Sequence, residues 1–453
     1  MVEASREWPA WPEYTEQSGE KGEDLISYKQ AVMDKYGKES LISSWLQVCK
    51  ELAALTDRIV TVGSEAIPSV QFEDLFKLDH SGKQVLKDVG CFVVRNVVAP
   101  EKATEWFDDL KLYVAKNRSS IGGVCADGKK VGESATDVGI GWPTETPFIL
   151  QLYFSPTQIA ARSHPNQLKL SRELNSWWND AGSETASAPL SYADAIRIRP
   201  PKIPFYGLGP HIDAGSLSRW ADPTYQSVYS AVFSGHPEQL DNYDLSLRKD
   251  AKQAFFPGSA HSRVFRSFQG WTALTGAGPG EGSLMLYPNV KWTIAYVLLR
   301  PFFQAPKDGD ILDATRWTFD CDSAWFPGTF KADSQMLSPS SHPHLRLKEC
   351  MVPIPRMYAG DTIWWHADMC HAVEVEHNGE HDASVAYVAA TPSTAENERY
   401  IKGQLEDFLR GVPPEDFRGG SNERDFDGFS GEQSILSGDE GRRAMGFELL
   451  AAA

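Results

Sequence analysis

The chain has 453 residues, 42% of them hydrophobic and 11% aromatic, with 14 tryptophans, so it is long enough to bury a full core and is neither a disordered nor a collagen-like sequence. Its 44 basic residues against 61 acidic ones give a formal charge of -17, a field that repels phosphate backbones and anionic lipid and so excludes nucleic acid and membrane as expected partners. The opening "MVEASREWPAWPEYTEQSGE" has neither the apolar core of a signal peptide nor an Arg-rich face, and no run approaches the ~18 apolar residues of a membrane span. Cys49, Cys91, Cys125, Cys321, Cys350 and Cys370 form no Cys-x-x-Cys pair, which argues against a zinc ribbon and predicts reduced thiols in a cytoplasmic protein.

Along residues 1–190 the pattern predicts a helical and mixed region. Ile42, Trp45, Val48, Leu52, Leu55 and Ile59 recur at three or four residues, the spacing of one helix face. "GCFVVRNVV" (90–98) reads as a strand, and Pro100 opens a second helix lined by Trp106, Leu110 and Tyr113. Residues 155–180 again read as helix, interrupted near Pro165, before the loop "GSETASAP". From 191 to 400 the character changes to short runs rich in β-branched and aromatic residues: "YADAIRIRP", "VFRSFQGWTALT", "GSLMLYP", "WTIAYVLLRPFF", "GDTIWWHAD", "HAVEVEH" and "ASVAYVAATP". Turn residues separate most of them, which predicts an all-β core. Residues 401–453 read as a partly mobile tail, with Phe417, Phe426 and Phe429 as possible anchors. The three segments are expected to form one integrated domain.

"GPHIDAGSLSRW" places His211 and Asp213 two apart after a proline-rich turn. Spacing alone does not single this pair out, because His366/Asp368 and His236/Glu238 share it; a polar pair at a strand end is the plain alternative. Its setting favours it: a strand and a turn precede it, and His371 enters a β-run far downstream. Two ligands at one strand end and a third from a later strand can occupy one face of an octahedral metal, the two-histidine, one-carboxylate arrangement that suits Fe(II).

With the turn at Gly360-Asp361, the run "IWWH" and the segments "YVLLRPFF", "PHLRL" and "GDTIWWHADMCHAVEVEHNG", the chain resembles the Fe(II)/2-oxoglutarate-dependent oxygenases. Within that superfamily it is most similar to a family of large bacterial and fungal proteins known as a domain of unknown function. The resemblance implies a mainly β fold, a double-stranded β-helix (jelly-roll, cupin-like) core with flanking helices. It also implies Fe(II) held by His211, Asp213 and His371, with 2-oxoglutarate and O2 as cosubstrates. The implied activity is that of a dioxygenase, most simply a hydroxylase of an unactivated C–H bond in a small organic molecule. His366 and Asp368 are assigned to the core, since on a continuous strand His371 has the opposite parity. His342 and His344 are assigned to a supporting loop.

In that family an arginine on the last strand commonly holds the far carboxylate of 2-oxoglutarate, but "ASVAYVAATP" has no basic residue. Arg197, with Arg199 on the same face of the first core strand, is one substitute, with Ser384 and Ala386 leaving room for its guanidinium. Arg300, a charge within an apolar strand, is another. Arg219 and Trp220 are candidates for the loop over the metal or for the substrate, and the insertion "WADPTYQSVYSAVFSGHPEQLDNYDLSLRKDA" could form a lid. A non-catalytic cupin-like binding protein and a metal-dependent enzyme that does not use 2-oxoglutarate remain alternatives.

Overall fold

The computed structural model describes residues 7–451 apart from 16–17, 21, 122–140, 143–147, 180–186, 207, 214, 257, 259–261 and 419, so Cys125 and most of "GSETASAP" lie outside the described residues. Helix (44%) outweighs strand (15%), which corrects the mainly β expectation to a mixed fold of helices and antiparallel sheets. Among the described residues no helix is long and apolar enough to cross a membrane.

Two sheets face each other. The strands that matter here are β1 (Cys91–Arg95), β2 (Ile196–Arg199), β3 (His211–Ile212), β4 (Phe268–Ala273), β5 (Leu284–Leu286), β6 (Gln335–Met336), β7 (Val352–Pro353), β8 (Thr362–His366), β9 (His371–Val373) and β10 (Ala383–Pro392). The larger sheet runs β1-β8-β4-β10-β2 through its centre, and the smaller runs β6-β3-β9-β5-β7. Among the described residues no strand belongs to both, so hydrogen bonding does not close them into a barrel. β1 comes from the N-terminal 190 residues yet pairs with β8, which joins that region to the core.

The larger sheet is buried on both faces, so its strands read as apolar runs without polar alternation. On β1 and β8, Cys91, Val93, Ile363 and Trp365 face the smaller sheet, while Phe92, Val94 and Trp364 face the helices α2 (Pro100–Asn117) and α3 (Pro165–Ser176). Helix α1 (Lys38–Val62) buries Trp45, Val48, Leu52 and Ile59 of the expected face, while Ile42 and Leu55 are only half-buried and Leu41 is buried instead. Trp45 stacks on Phe303 at 4.3 Å and on Tyr296 at 5.4 Å.

Tyr296 belongs to a helix where a strand was expected. "WTIAYVLL" forms α6 (Lys291–Leu299), buried from Thr293 to Leu299. A segment that is apolar all round has no period to distinguish helix from strand. What starts the helix is local: the Asn289 side chain accepts the Trp292 N–H at 2.9 Å, and its carbonyl accepts the Thr293 hydroxyl at 2.7 Å.

Where a mobile tail was expected, α7 (Ala395–Arg410) is followed by packed turns and helices as far as Ala451. Phe426 and Met445 are buried. Glu423, also buried, accepts the backbone N–H of Tyr153 at 2.7 Å and of Phe154 at 3.1 Å, which pins this segment to the body. Burial pushes its carboxyl up to about 7, and those N–H groups and the Arg162 charge offset this only in part.

The folded carboxyl therefore holds its proton more tightly than the unfolded one. Its contribution to stability is present below the ordinary value of 4.5 and is lost as pH rises through about 7. From this group the unfolding free energy should fall by roughly 3 kcal/mol between about pH 5 and pH 8. Urea melts across that range should show a shallower slope for Glu423→Gln; an identical slope would mean that the carboxyl titrates normally.

Candidate metal centre

β3 and β9 are antiparallel neighbours, and His211 and His371 are direct cross-strand partners. Residues so paired project from the same face of a sheet, and the two imidazole rings lie 4.2 Å apart, centroid to centroid. Asp213 follows β3 by one residue and closes the group. Its Oδ1 lies 3.4 Å from His211 Nε2 and its Oδ2 3.6 Å from His371 Nε2. One donor atom from each of the three residues lies within 4.8 Å of the other two.

The backbone sets the tautomers. His211 Nδ1–H donates to the Gly209 carbonyl at 2.8 Å, and His371 Nδ1–H donates to the Met369 carbonyl at 3.0 Å. Each Nε2 is left facing the carboxylate, where it can take up a proton or a metal ion. Both histidines are buried, whereas the Asp213 side chain is 23% exposed, so the group can be reached from one side.

Burial and the neighbouring His211 push the His371 imidazole down to about 4. Burial also works against the His211 imidazolium, but Asp213 and the Gly209 carbonyl outweigh it and raise that pKa. Burial would raise the Asp213 carboxyl, yet His371, His211 and Arg266 hold it well below the usual carboxylate range.

Arg266 was not singled out in the sequence. It precedes β4, with Nη2 3.9 Å from Asp213 Oδ2 and Nη1 3.5 Å from Asp194 Oδ2. Its signal was an arginine between aromatics in "VFRSF". Tyr387 on β10 was also passed over. It is directly opposite Trp271, and its hydroxyl feels the charges of Arg197, Asp194 and Asp213.

Arg197 pairs with Val385 across β2 and β10, beside Tyr387 on the face that looks toward the smaller sheet. Its side chain is buried and its Nε has no hydrogen-bond partner; among the described residues no carboxylate lies within ion-pair distance. Burial lowers its pKa, and Tyr387 only partly offsets that. Arg199, by contrast, donates to the carbonyls of Glu374 at 2.8 Å and Val375 at 2.6 Å.

The other candidates move. Ser384 pairs with Ile198 on the opposite face of the sheet from Arg197 and donates to the Arg197 carbonyl at 2.8 Å, so it makes no room for a guanidinium. Arg300 does not sit in a strand; it follows α6, donates to the Ser341 and Phe303 carbonyls and lies over Trp317 and Trp325 at 4.4 and 4.5 Å. Trp220 is not part of a lid, since it is fully buried and donates to the Leu298 carbonyl at 3.1 Å. Tyr225 and Tyr229 of the same insertion are buried too. Arg219 is also buried, its Nη2 3.4 Å from Asp368 Oδ1.

β8 ends at His366 and a turn separates it from His371, so strand parity does not decide between the two histidine-acid pairs. Hydrogen bonding does. His366 stacks on Trp178 at 4.9 Å, donates from Nε2 to the Asn242 carbonyl at 2.9 Å and accepts the Asp368 N–H at Nδ1, which leaves neither nitrogen for a metal. His342 and His344 are buried beside Tyr296, which is 3.1 Å from His344 Nδ1. A cleft of about 540 Å³ lined by Lys87, Asp241, Asn242 and Lys291 contains none of the triad.

The family model that matches this chain, Gig2-like, spans residues 23–447. The chain belongs to the Gig2-like family. Protein YbiU of Escherichia coli K12 is 30% identical over 398 residues, 85% of the Gig2-like chain and 87% of YbiU. The crystal structure of GlcNAc Inducible Gene 2 (DUF1479) from Candida albicans superposes with a TM-score of 0.78 at 27% identity, covering 94% of this chain and 89% of that one. A structure from Salmonella typhimurium LT2 named "Putative Oxidoreductase" superposes with a TM-score of 0.75 at 27% identity, covering 93% and 96%. Bacterial and fungal members of a domain-of-unknown-function family are the relatives that the sequence resemblance implied.

Proposed function

We propose that this Gig2-like protein is a non-haem Fe(II)/2-oxoglutarate-dependent oxygenase that hydroxylates a C–H bond of a small organic molecule. One observation carries the reading: His211, Asp213 and His371 converge with both Nε2 atoms turned toward one carboxylate. Strand order supports it, because β2, β3, β4, β5, β7, β8, β9 and β10 are distributed between the two sheets in the sequence of a double-stranded β-helix.

The donor set fits the metal. Two neutral imidazoles and one carboxylate suit Fe(II), and three protein ligands on one side leave positions for other ligands. The cosubstrate fits as well: Arg197 is a buried cation with no acidic partner among the described residues, and the planar fork of a guanidinium matches a carboxylate. When bound, Fe(II), 2-oxoglutarate and O2 supply the oxidising power for hydroxylation, with succinate and CO2 as coproducts.

The protein does the rest. The Gly209 and Met369 carbonyls orient the two imidazoles. Arg266, with Nη2 3.9 Å from Asp213 Oδ2, steadies the Asp213 carboxylate. Trp365, 5.3 Å from His371, walls the inner side against water.

Anaerobic calorimetry with Fe(II), then with 2-oxoglutarate, followed by O2 uptake and succinate release over a panel of small molecules, tests this reading. Metal binding without 2-oxoglutarate binding would favour the metal-dependent enzyme that does not use it. Absence of both would favour a cupin-like binding protein.

A further inference from the structure

We infer that Arg219 is a positioning residue, which couples the loop after Asp213 to the turn before His371. The inference rests on the metal-centre reading above.

The coupling runs through one buried carboxylate. Asp368 lies in the turn between β8 and β9. Its Oδ1 is 3.0 Å from Arg248 Nη2 and 3.4 Å from Arg219 Nη2, and its Oδ2 accepts the Tyr229 hydroxyl at 2.9 Å. Arg248 Nη1 donates to Tyr229 Oη at 2.7 Å. Arg219 sits on α4 (Ser218–Ala221) and Arg248 on α5 (Leu245–Arg248), both in the insertion between β3 and β4. All four side chains are buried.

On its other side Arg219 meets the metal loop. Gly215, two residues after Asp213, has φ 79° and packs so closely that a Cβ there would stand 3.0 Å from Arg219 Cζ and 2.7 Å from Tyr225 Oη. The guanidinium is thus wedged between the backbone that carries one ligand and the turn that leads to another.

Structure alone does not require it. Arg248, Asp368 and Tyr229 already form a charge-balanced, hydrogen-bonded set. Arg219 adds a second buried cation to the same carboxylate through the longer contact, and among the described residues its Nε and Nη1 have no hydrogen-bond partner. Burying a second guanidinium carries a desolvation cost, which Asp368 offsets. Its place between two ligand-bearing segments is what it contributes in return.

The test is anaerobic Co(II) binding to the full chain, read by calorimetry and by the visible absorption of the bound ion. Arg219→Met should unfold at the same temperature as the parent or higher, yet bind Co(II) at least ten-fold more weakly with an altered spectrum. Arg219→Lys should recover part of the affinity. A parent-like affinity and spectrum for Arg219→Met would overturn the inference, and so would failure of both variants to fold, which would make the residue structural. If the parent chain itself binds no Co(II), the metal-centre reading falls and this inference with it; binding by the parent together with an indifferent Arg219→Met overturns this inference alone.

Discussion

Asp213→Ala is expected to abolish coupled 2-oxoglutarate turnover and to weaken Fe(II) binding at least a thousand-fold, about 4 kcal/mol, while leaving the fold intact. The carboxylate is the single anionic donor between two imidazoles, and removing it leaves Nε2 atoms that must hold a dication without charge compensation. The variant should still fold, although less stably at neutral pH: Asp213 follows a two-residue strand and keeps 23% of its side chain exposed, but His371, His211 and Arg266 favour its charged form in the folded chain. Calorimetric titration and a denaturant melt on the same sample separate the two effects. Undiminished metal affinity would remove Asp213 from the ligand set.

Arg197→Met should act in two opposite directions. The metal-free protein should become more stable, by about 1 to 3 kcal/mol, because a buried cation with no acidic partner among the described residues is replaced by an apolar chain of similar length. Affinity for 2-oxoglutarate should fall about a hundred-fold, near 3 kcal/mol, because the distal carboxylate loses its charged fork. Fe(II) affinity should not change. Arg197→Lys should keep the charge but recover only part of the cosubstrate affinity, since a point charge cannot make the bidentate contact. Unaltered 2-oxoglutarate binding in both variants would move the carboxylate site away from β2, with Arg266 the next cation to examine.

Much of the His-Asp-His cluster was legible because its signals are local. The His-x-Asp of β3 and the histidine that opens β9 stand beside turn residues and β-rich runs, and those runs became strands in six of seven cases. The exception, α6, is apolar on every side, so its conformation depends on the Asn289 cap and on packing, not on a period. The final fifty residues looked like a tail because their buried anchors are scattered among polar turns.

Ser384 was misplaced by a single register step. Its small size suggested space beside Arg197, but Val385 is the direct partner and Ser384 faces the helices. Arg266 and Tyr387 were passed over because their importance comes from what surrounds them. Neither lies near His211 or Asp213 in the chain, and only the pairing of β4 with β10 gathers them there.

The pairing of His211 with His371 also bears on how the chain acquires its shape. These partners are remote in sequence, so closing the intervening loop costs entropy that local contacts do not repay, and contacts of this kind form slowly. A metal ion bound there would therefore reward only the finished molecule, never an early intermediate. Loading it should slow unfolding and raise the melting temperature, without hastening the first steps of folding.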